Sequence, residues 1–198
     1  MLVAVLGLGL AGALAVAQRQ PAADLYLVGV GREAPDAAAS LSSHFEGTLK
    51  IPIRLLTPLP LDETAVDAAR SQVVAERVIG TMQSKYAALA QDPRARVIGI
   101  TGADMYIQSM RGRWSFAFSQ RSRDQKFAIV SYARMDPANF GLPSDDSVRD
   151  SRLRKMVMKN IGIMYFGLPA SSNPRSVLYG NILGNDDLDR MTEDFNPR

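Results

Sequence analysis

Arg152–Leu168, RLRKMVMKNIGIMYFGL, is the segment from which the rest of the chain is most readily interpreted. Its apolar residues recur at the i, i+3, i+4 and i+7 spacing of one helical face, which predicts an amphipathic helix. Asn160 is the one polar residue of this stripe, and the apolar residues are Leu153, Met156, Val157, Ile161, Met164 and Leu168. Gly162 lies inside the helix, where glycine costs about 1 kcal/mol relative to alanine. We therefore expect a packing reason for Gly162.

Charged residues cluster at a few places along the chain. In the same segment they lie off the apolar stripe and predict a basic outer side: Arg152, Arg154, Lys155 and Lys159. Four arginines flank a predicted hairpin, where they would line its solvated side or meet an acidic partner: Arg111, Arg113, Arg121 and Arg123. Asp145–Asp146 is predicted to be a loop and helix cap. Asn185–Asp189 favours a helix N-terminus, capped by Asn185, over a calcium site, because it lacks an EF-hand's glycine and spacing.

The composition restricts the metal chemistry that this chain can support. Its 198 residues suit one domain, with or without a leader, and its 46% apolar content is sufficient for a packed core. It has one histidine, His44, and no cysteine. Zinc sites usually need at least two such ligands, so we predict no metal and no cofactor, and a solvated or capping His44. The net charge of +3 is modest, and we predict no nucleic-acid partner.

The first 20 residues form a separate predicted unit before a domain over residues 24–198. Residues 1–17 have no charged side chain and end in Ala15-Val16-Ala17, a small-residue triplet typical of signal-peptide cleavage. An uncleaved membrane anchor is a second interpretation, so the protein is expected to be exported or anchored, and cytoplasmic if neither applies. Gly7–Gly12 spells G-x-G-x-x-G, which leaves dinucleotide binding as an alternative function.

The remaining pattern predicts an α/β (α+β) fold with a mixed β-sheet packed on two main helices. Buried strands are predicted from apolar runs at Leu25–Val30, Ile51–Leu56, Arg96–Thr101 and Phe127–Tyr132. Further predictions are helices over Asp36–Phe45 and Asp67–Ala90, an edge hairpin over Trp114–Tyr132 and a loop over Met135–Asp150.

Short motifs in a fixed order give the chain a resemblance to a known family. Lys159–Ile163 reads K-N-I-G-I and resembles the H-E-I-G-H form of the metzincin pattern H-E-x-x-H-x-x-G-x-x-H, as found in archaemetzincin-like peptidases. Val97–Tyr106, Ile129–Met135 and Asp186–Asp189 resemble other motifs of that family, and the resemblance extends roughly over Leu25–Phe195. The Met-turn and the cysteine-rich tail of the family are absent.

The resemblance implies a zincin-like fold but not its chemistry. The positions of the zinc ligands and the general base are occupied by Lys159, Asn160, Ile163 and Ala170. We therefore predict a catalytically inactive, zinc-peptidase-like domain with a peptide-binding, protein-binding or structural role. An active metal-dependent peptidase with non-standard ligands is the alternative. Zincin clefts hold extended peptides against an edge strand, so the resemblance points to Trp114–Ser119, and the candidate peptide-binding residues there are Trp114, Phe116 and Phe118.

Overall fold

The computed structural model describes residues 23–32, 34–110 and 114–197. The predicted leader, the Gly7–Gly12 motif, Arg111 and Arg113 lie outside these ranges, so the predictions about them remain predictions. Inside these ranges, no helix has both the length and the apolar character that crossing a bilayer requires.

A mixed five-stranded sheet forms the centre of the molecule. The strands are β1 (Asp24–Gly29), β2 (Ile53–Leu55), β3 (Val66–Asp67), β4 (Gln72–Val74), β5 (Ala95–Thr101), β6 (Met105–Tyr106), β7 (Ser119–Arg121) and β8 (Phe127–Ser131). The main sheet has the order β2-β1-β5-β8-β7, and β3, β4 and β6 form a second, three-stranded sheet. In the main sheet, only the edge strand β7 runs antiparallel to its neighbour. The predicted mixed sheet is confirmed.

Helices cover both faces of the main sheet. They are α1 (Ala34–Leu49), α2 (Ala75–Lys85), α3 (Ala87–Gln91), α4 (Asp146–Met164) and α5 (Asn185–Arg190). Alternate residues of β1 point to opposite faces. Leu25 and Leu27 belong to the core cluster with α1 and α4, whereas Tyr26 and Val28 belong to the cluster with α2 and the small sheet. The predicted helical layer is therefore present, and α2 adds a helix on the other face.

The helix α4 begins and ends earlier than the predicted Arg152–Leu168. Asp145 caps it by accepting hydrogen bonds from the backbone N–H groups of Ser147 at 2.9 Å and Val148 at 3.1 Å, as predicted for an acidic cap. The predicted loop Met135–Asp150 is accordingly too long at its C-terminal end, and it contains a 3₁₀ turn at Pro137–Phe140.

The predicted basic outer side of α4 is wrong for two of its four residues. Arg152 and Lys159 are only 8% and 7% exposed. The C-terminal half of α4 is buried on all sides because the sheet packs on one face and residues 176–195 cover the other. At Gly162, an added Cβ would lie 2.7 Å from Phe195 and 2.8 Å from Leu178. This contact is the packing reason that was expected for the mid-helix glycine.

The predicted long helix Asp67–Ala90 is wrong at its N-terminal third. Ser71 has a φ of +51°, which an α-helix does not allow. On either side of it, β3 and β4 pair antiparallel, and β4 pairs parallel with β6. These non-local hydrogen bonds replace the local helical ones, and regular helix starts only at Ala75.

The predicted strand Trp114–Ser119 is also wrong, because only Ser119 belongs to a regular strand. Phe118 still accepts a hydrogen bond from the Ser131 backbone N–H at 2.9 Å, and the Ala117 N–H donates to Met105 at 2.8 Å. The segment that precedes β7 therefore lies outside the main sheet, and it contacts the small sheet through β6. The hairpin of β7 and β8 is present, shorter than predicted, and β7 is an edge strand as expected.

Two smaller predictions of helix starts differ by a residue or two. Gly184, not Asn185, is the residue preceding α5. Asp36 lies in the first turn of α1, which begins at Ala34.

Candidate functional site

A cleft of about 590 Å³ lies between α4, the segment that leads into β7, and the loop after Tyr179. Its lining is mainly apolar or aromatic, with basic side chains on its inner side. The lining residues are Trp114, Ser115, Phe116, Ala117, Phe118, Ser119, Arg121, Met156, Lys159, Gly180, Ile182 and Leu183. None of these described residues is acidic. The cleft therefore combines an apolar wall with an excess of positive charge.

Lys159 brings an ammonium group into this cleft. Its side chain is buried, and Nζ donates a hydrogen bond to the backbone carbonyl of Tyr179. Burial, and secondarily repulsion by the nearby Arg121 guanidinium, lowers the pKa of Lys159 to about 8. At neutral pH most molecules therefore retain a cation at the position that the motif resemblance assigns to the first zinc-binding histidine.

Asn160 is fully buried, and its amide is engaged on both sides. Nδ2 donates to the Met156 carbonyl at 2.8 Å and to the Ser119 hydroxyl at 3.0 Å. Oδ1 accepts a hydrogen bond from Nη1 of Arg121 at 3.1 Å. A neutral amide held in this way cannot take a proton from water, but it fixes β7 and the Arg121 side chain against α4.

Ile163 and Ala170 do not reach the cleft lining. Ile163 is partly buried and packs on the core cluster of α1 and α4. Ala170 is exposed and lies beside Gly180, one of the lining residues. The structure therefore places Lys159 in the cleft lining and joins the buried Asn160 to the lining residues Ser119 and Arg121. Ala170 lies near the rim, and Ile163 packs in the core.

The residues at the four family positions do not fit a zinc ion. A protonated ammonium repels a metal, a hydrocarbon has no lone pair to donate, and the one amide oxygen already accepts from a guanidinium. Over residues 23–32, 34–110 and 114–197, no cluster of three or more His, Cys, Asp or Glu residues is placed to hold a metal ion.

Arg121 is the functional candidate that the sequence interpretation missed. It was expected on the solvated side of the hairpin, yet it lines the cleft, and burial lowers its pKa. Its Nε atom is buried and has no hydrogen-bond partner among the described residues. Arg121 lies two residues after Ser119, so both point to the same face of β7. The available signal was this alternation, but it does not tell which face α4 covers.

The predicted peptide-binding residues Trp114, Phe116 and Phe118 all line the cleft. Trp114 is 40% exposed, whereas Phe118 is buried. The rings of Phe116 and Phe118 meet edge to face, with centroids 5.2 Å apart. The segment is held by the Ser115 carbonyl, which accepts hydrogen bonds from Arg70 and Gln72 at 2.9 and 3.0 Å. This wall is anchored although it is not part of a strand.

Two other predicted clusters lie outside the cleft lining. His44 Nε2 lies within hydrogen-bond distance, 3.0 Å, of a carboxylate oxygen of Glu193, and its ring is partly exposed rather than capping a helix. Asp187 in the first turn of α5 accepts the Leu183 backbone N–H at 2.8 Å and contacts Arg190. That arrangement is the one expected of a helix N-terminus.

Comparison with known proteins links this geometry to one group of sequences and folds. No family model matches the chain. It is 26% identical over 163 residues to an archaemetzincin of Pyrococcus furiosus, covering 78% of this chain and 79% of the relative. It is 30% identical over 132 residues to that of Pyrococcus horikoshii, covering 65% of each. A stronger match to the Thermococcus kodakarensis archaemetzincin, 35% identical over 82 residues, spans only 41% of either chain.

Solved structures show the same fold at lower sequence identity. A zinc-dependent peptidase from Methanocorpusculum labreanum superposes with a TM-score of 0.72 at 22% identity, covering 87% of this chain and 95% of that one. An archaemetzincin from Archaeoglobus fulgidus, solved in complex with malonate, gives a TM-score of 0.67 at 18% identity with the same coverage.

Proposed function

This chain is an archaemetzincin-like zincin, and from that premise we propose that it binds polypeptide in the cleft beside α4 without cleaving it. The observation that supports this function best is the pair Lys159 and Asn160. Lys159 brings a cation into the cleft lining, and the Asn160 amide is buried beneath that lining with both of its polar atoms hydrogen-bonded.

Peptide hydrolysis by a zincin needs two chemical groups that these side chains cannot supply. A metal must polarise the water and the scissile carbonyl, and a carboxylate must accept the proton of the water. At this site a cation replaces a neutral ligand, which disfavours the metal, and the amide of Asn160 replaces the base. In this proposal the protein keeps the scaffold of the cleft but lacks the groups needed for hydrolysis.

A polypeptide ligand is supported by the walls of the cleft. The edge strand β7 lies beside it, and edge strands bind extended peptides by adding a strand. The apolar wall around Trp114 offers contact area for side chains, and Leu183 on the opposite side is 71% exposed. Exposed apolar side chains at a cleft are typical of interaction sites.

Metal content and peptidase activity test this proposal together. The purified full chain is incubated with excess zinc, desalted and measured by mass spectrometry for metal per chain. It is then assayed on a mixture of fluorogenic peptides, with the Methanocorpusculum zinc-dependent peptidase as positive control. We expect far less than one zinc per chain and no cleavage. Stoichiometric zinc with metal-dependent cleavage would instead establish the alternative, a peptidase with non-standard ligands.

The predictions for the N-terminal segment are tested separately. Sequencing the N-terminus of the mature protein distinguishes export from dinucleotide binding at Gly7–Gly12, because cleavage after Ala17 removes all three glycines. We propose export or membrane anchoring through this segment.

A further inference from the structure

The cleft contains two basic side chains that come from different elements and lack an acidic partner. Arg121 extends from β7 and Lys159 from α4, and both line the cleft. In the described part of the chain, neither has a carboxylate within ion-pair distance. Buried charges are normally paired, because an unpaired one is costly to remove from water.

Three arginines that are buried or partly buried follow that rule, whereas the partly buried Arg70 and Arg96 donate to backbone carbonyls instead. Arg152 pairs with Asp189 at 2.7 Å, Arg134 with Asp104 at 2.6 Å, and Arg154 contacts Glu193 at 2.9 Å. Arg121 differs from all five, because its buried Nε has neither a carboxylate nor a carbonyl acceptor among the described residues. This unpaired donor beside a second cation indicates that the missing anion comes from a ligand.

The donors left free at the cleft suit a carboxylate. Among the described residues, the buried Nε–H of Arg121 has no acceptor, while Nη1 is held in place by Asn160. Lys159 uses one of its three N–H donors on the Tyr179 carbonyl, which leaves two. A guanidinium presents its donors in a planar fork that matches a carboxylate, and a neighbouring ammonium adds charge.

The surroundings of the two cations determine what the carboxylate is attached to. The apolar side chains of Phe116, Met156 and Ile182 line the same cleft. A ligand with a terminal carboxylate next to an apolar side chain would meet both surfaces at once. The C-terminus of a polypeptide has this chemistry.

We propose that Arg121 and Lys159 form a binding site for the C-terminal carboxylate of a peptide whose last side chain is apolar. This inference rests on the proposed function, since it takes the ligand to be a polypeptide, and it adds which end of the chain is bound. Capture of a terminal carboxylate needs no metal. Asn160 is a positioning residue, because it holds the Arg121 guanidinium against α4.

A matched pair of probes tests the role of the carboxylate. Acetyl-Ala-Leu-Ala-Phe with a free C-terminus and the same peptide with a C-terminal amide are titrated into the full chain by calorimetry. Trp114, the only tryptophan in the sequence, lies at the cleft and gives an independent fluorescence signal. We expect the free acid to bind at least tenfold more tightly than the amide.

Matched variants test the two residues. Arg121→Gln should weaken binding of the free acid by at least tenfold and so remove most of its advantage over the amide. Arg123→Gln is the control, because Arg123 is exposed and lies two residues further along, and it removes the same charge. Circular dichroism verifies that both variants fold. If Arg121→Gln does not fold, Lys159→Met is tested in its place, because it removes the other cation of the cleft.

The possible results separate this inference from the proposed function. Equal binding of acid and amide, unaffected by Arg121→Gln, overturns the carboxylate site and leaves peptide binding intact. A third probe, 3-phenylpropionate, covers small carboxylates. If it binds through Arg121 and neither peptide binds, the polypeptide ligand is overturned together with the proposed function. If none of the three binds, both proposals fail.

Discussion

Replacing Lys159 with methionine should stabilise the protein at neutral pH. The pKa of the Lys159 ammonium is lowered from 10.5 to about 8. Each pKa unit corresponds to about 1.4 kcal/mol, so keeping this group protonated in the folded cleft costs roughly 3 kcal/mol. Methionine retains most of the aliphatic contacts but leaves the Tyr179 carbonyl without its donor, which costs about 1 kcal/mol. We therefore expect Lys159→Met to raise the free energy of unfolding by about 1–2 kcal/mol.

The pH dependence of this difference has a definite sign. Because the pKa of Lys159 is lower in the folded protein, the unfolded chain holds the proton more tightly between about pH 8 and pH 10.5. The wild type therefore gains stability relative to Lys159→Met as the pH rises through this window. The groups that face the ammonium are the Arg121 guanidinium and the Tyr179 carbonyl, and neither titrates there. The advantage of the variant should be largest at pH 7 and shrink above pH 8.

Urea denaturation followed by circular dichroism measures both effects. With an m-value of roughly 2 kcal/mol/M, the expected stabilisation shifts the midpoint by about 0.5–1 M. Lys85→Met is the control, because Lys85 is an exposed lysine on α2, and it should change stability by less than about 0.5 kcal/mol. Equal stability of the wild type and Lys159→Met at pH 7, or a difference that does not vary with pH, would refute the claim of a buried, costly ammonium.

Two further predictions concern α4 and its contacts. Gly162→Ala should destabilise the protein by about 1–3 kcal/mol, because its methyl group would overlap the packed C-terminal segment. The control Gly80→Ala, at a helix position with open space around it, should instead stabilise the protein by about 0.5–1 kcal/mol. Thermal melts compare the two variants, and a loss of stability in both would contradict the packing argument. Asp189→Asn should cost about 1–2 kcal/mol at pH 7, because it weakens the bidentate partner of the buried Arg152, although the Asp189 carboxylate itself is half exposed to solvent. That hydrogen-bonded pair lowers the pKa of Asp189. The stability advantage of the wild type over Asp189→Asn should therefore be lost as the pH falls through the acidic range, as measured by urea titrations. The control Asp186→Asn, an exposed change in the same helix, should show no comparable loss.

Part of the fold was accessible from the sequence because it depends on local pattern. The apolar runs of β1, β5 and β8 are continuous, as expected for strands buried on both faces. The 3.6-residue period located α4, although it placed the helix over Arg152–Leu168 instead of Asp146–Met164. In contrast, β3 and β4 were assigned to a helix, because their hydrogen bonds are made to distant partners that no local period reveals.

The candidate site divides in the same way. Lys159 and Asn160 were singled out by the resemblance of their motif to that of the family. The predicted Trp114, Phe116 and Phe118 do line the cleft, and their role in peptide binding stays a prediction. Arg121 was expected in solvent, and it was not connected with Lys159. The two are 38 positions apart in the sequence, and only the packing of β7 on α4 brings them together.

The amino-acid sequence alone determined which atoms are available to this protein: one histidine, no cysteine, and a lysine and an asparagine where the family has a ligand and a base. The tertiary structure decided which of its charges lie next to one another and away from water. A periodic pattern fixes the residues that share a face of a helix or strand, but burial depends on what packs against that face. For this reason the proximity of the Arg121 and Lys159 cations could be recognised only from the packing of β7, α4 and the C-terminal segment in the tertiary structure.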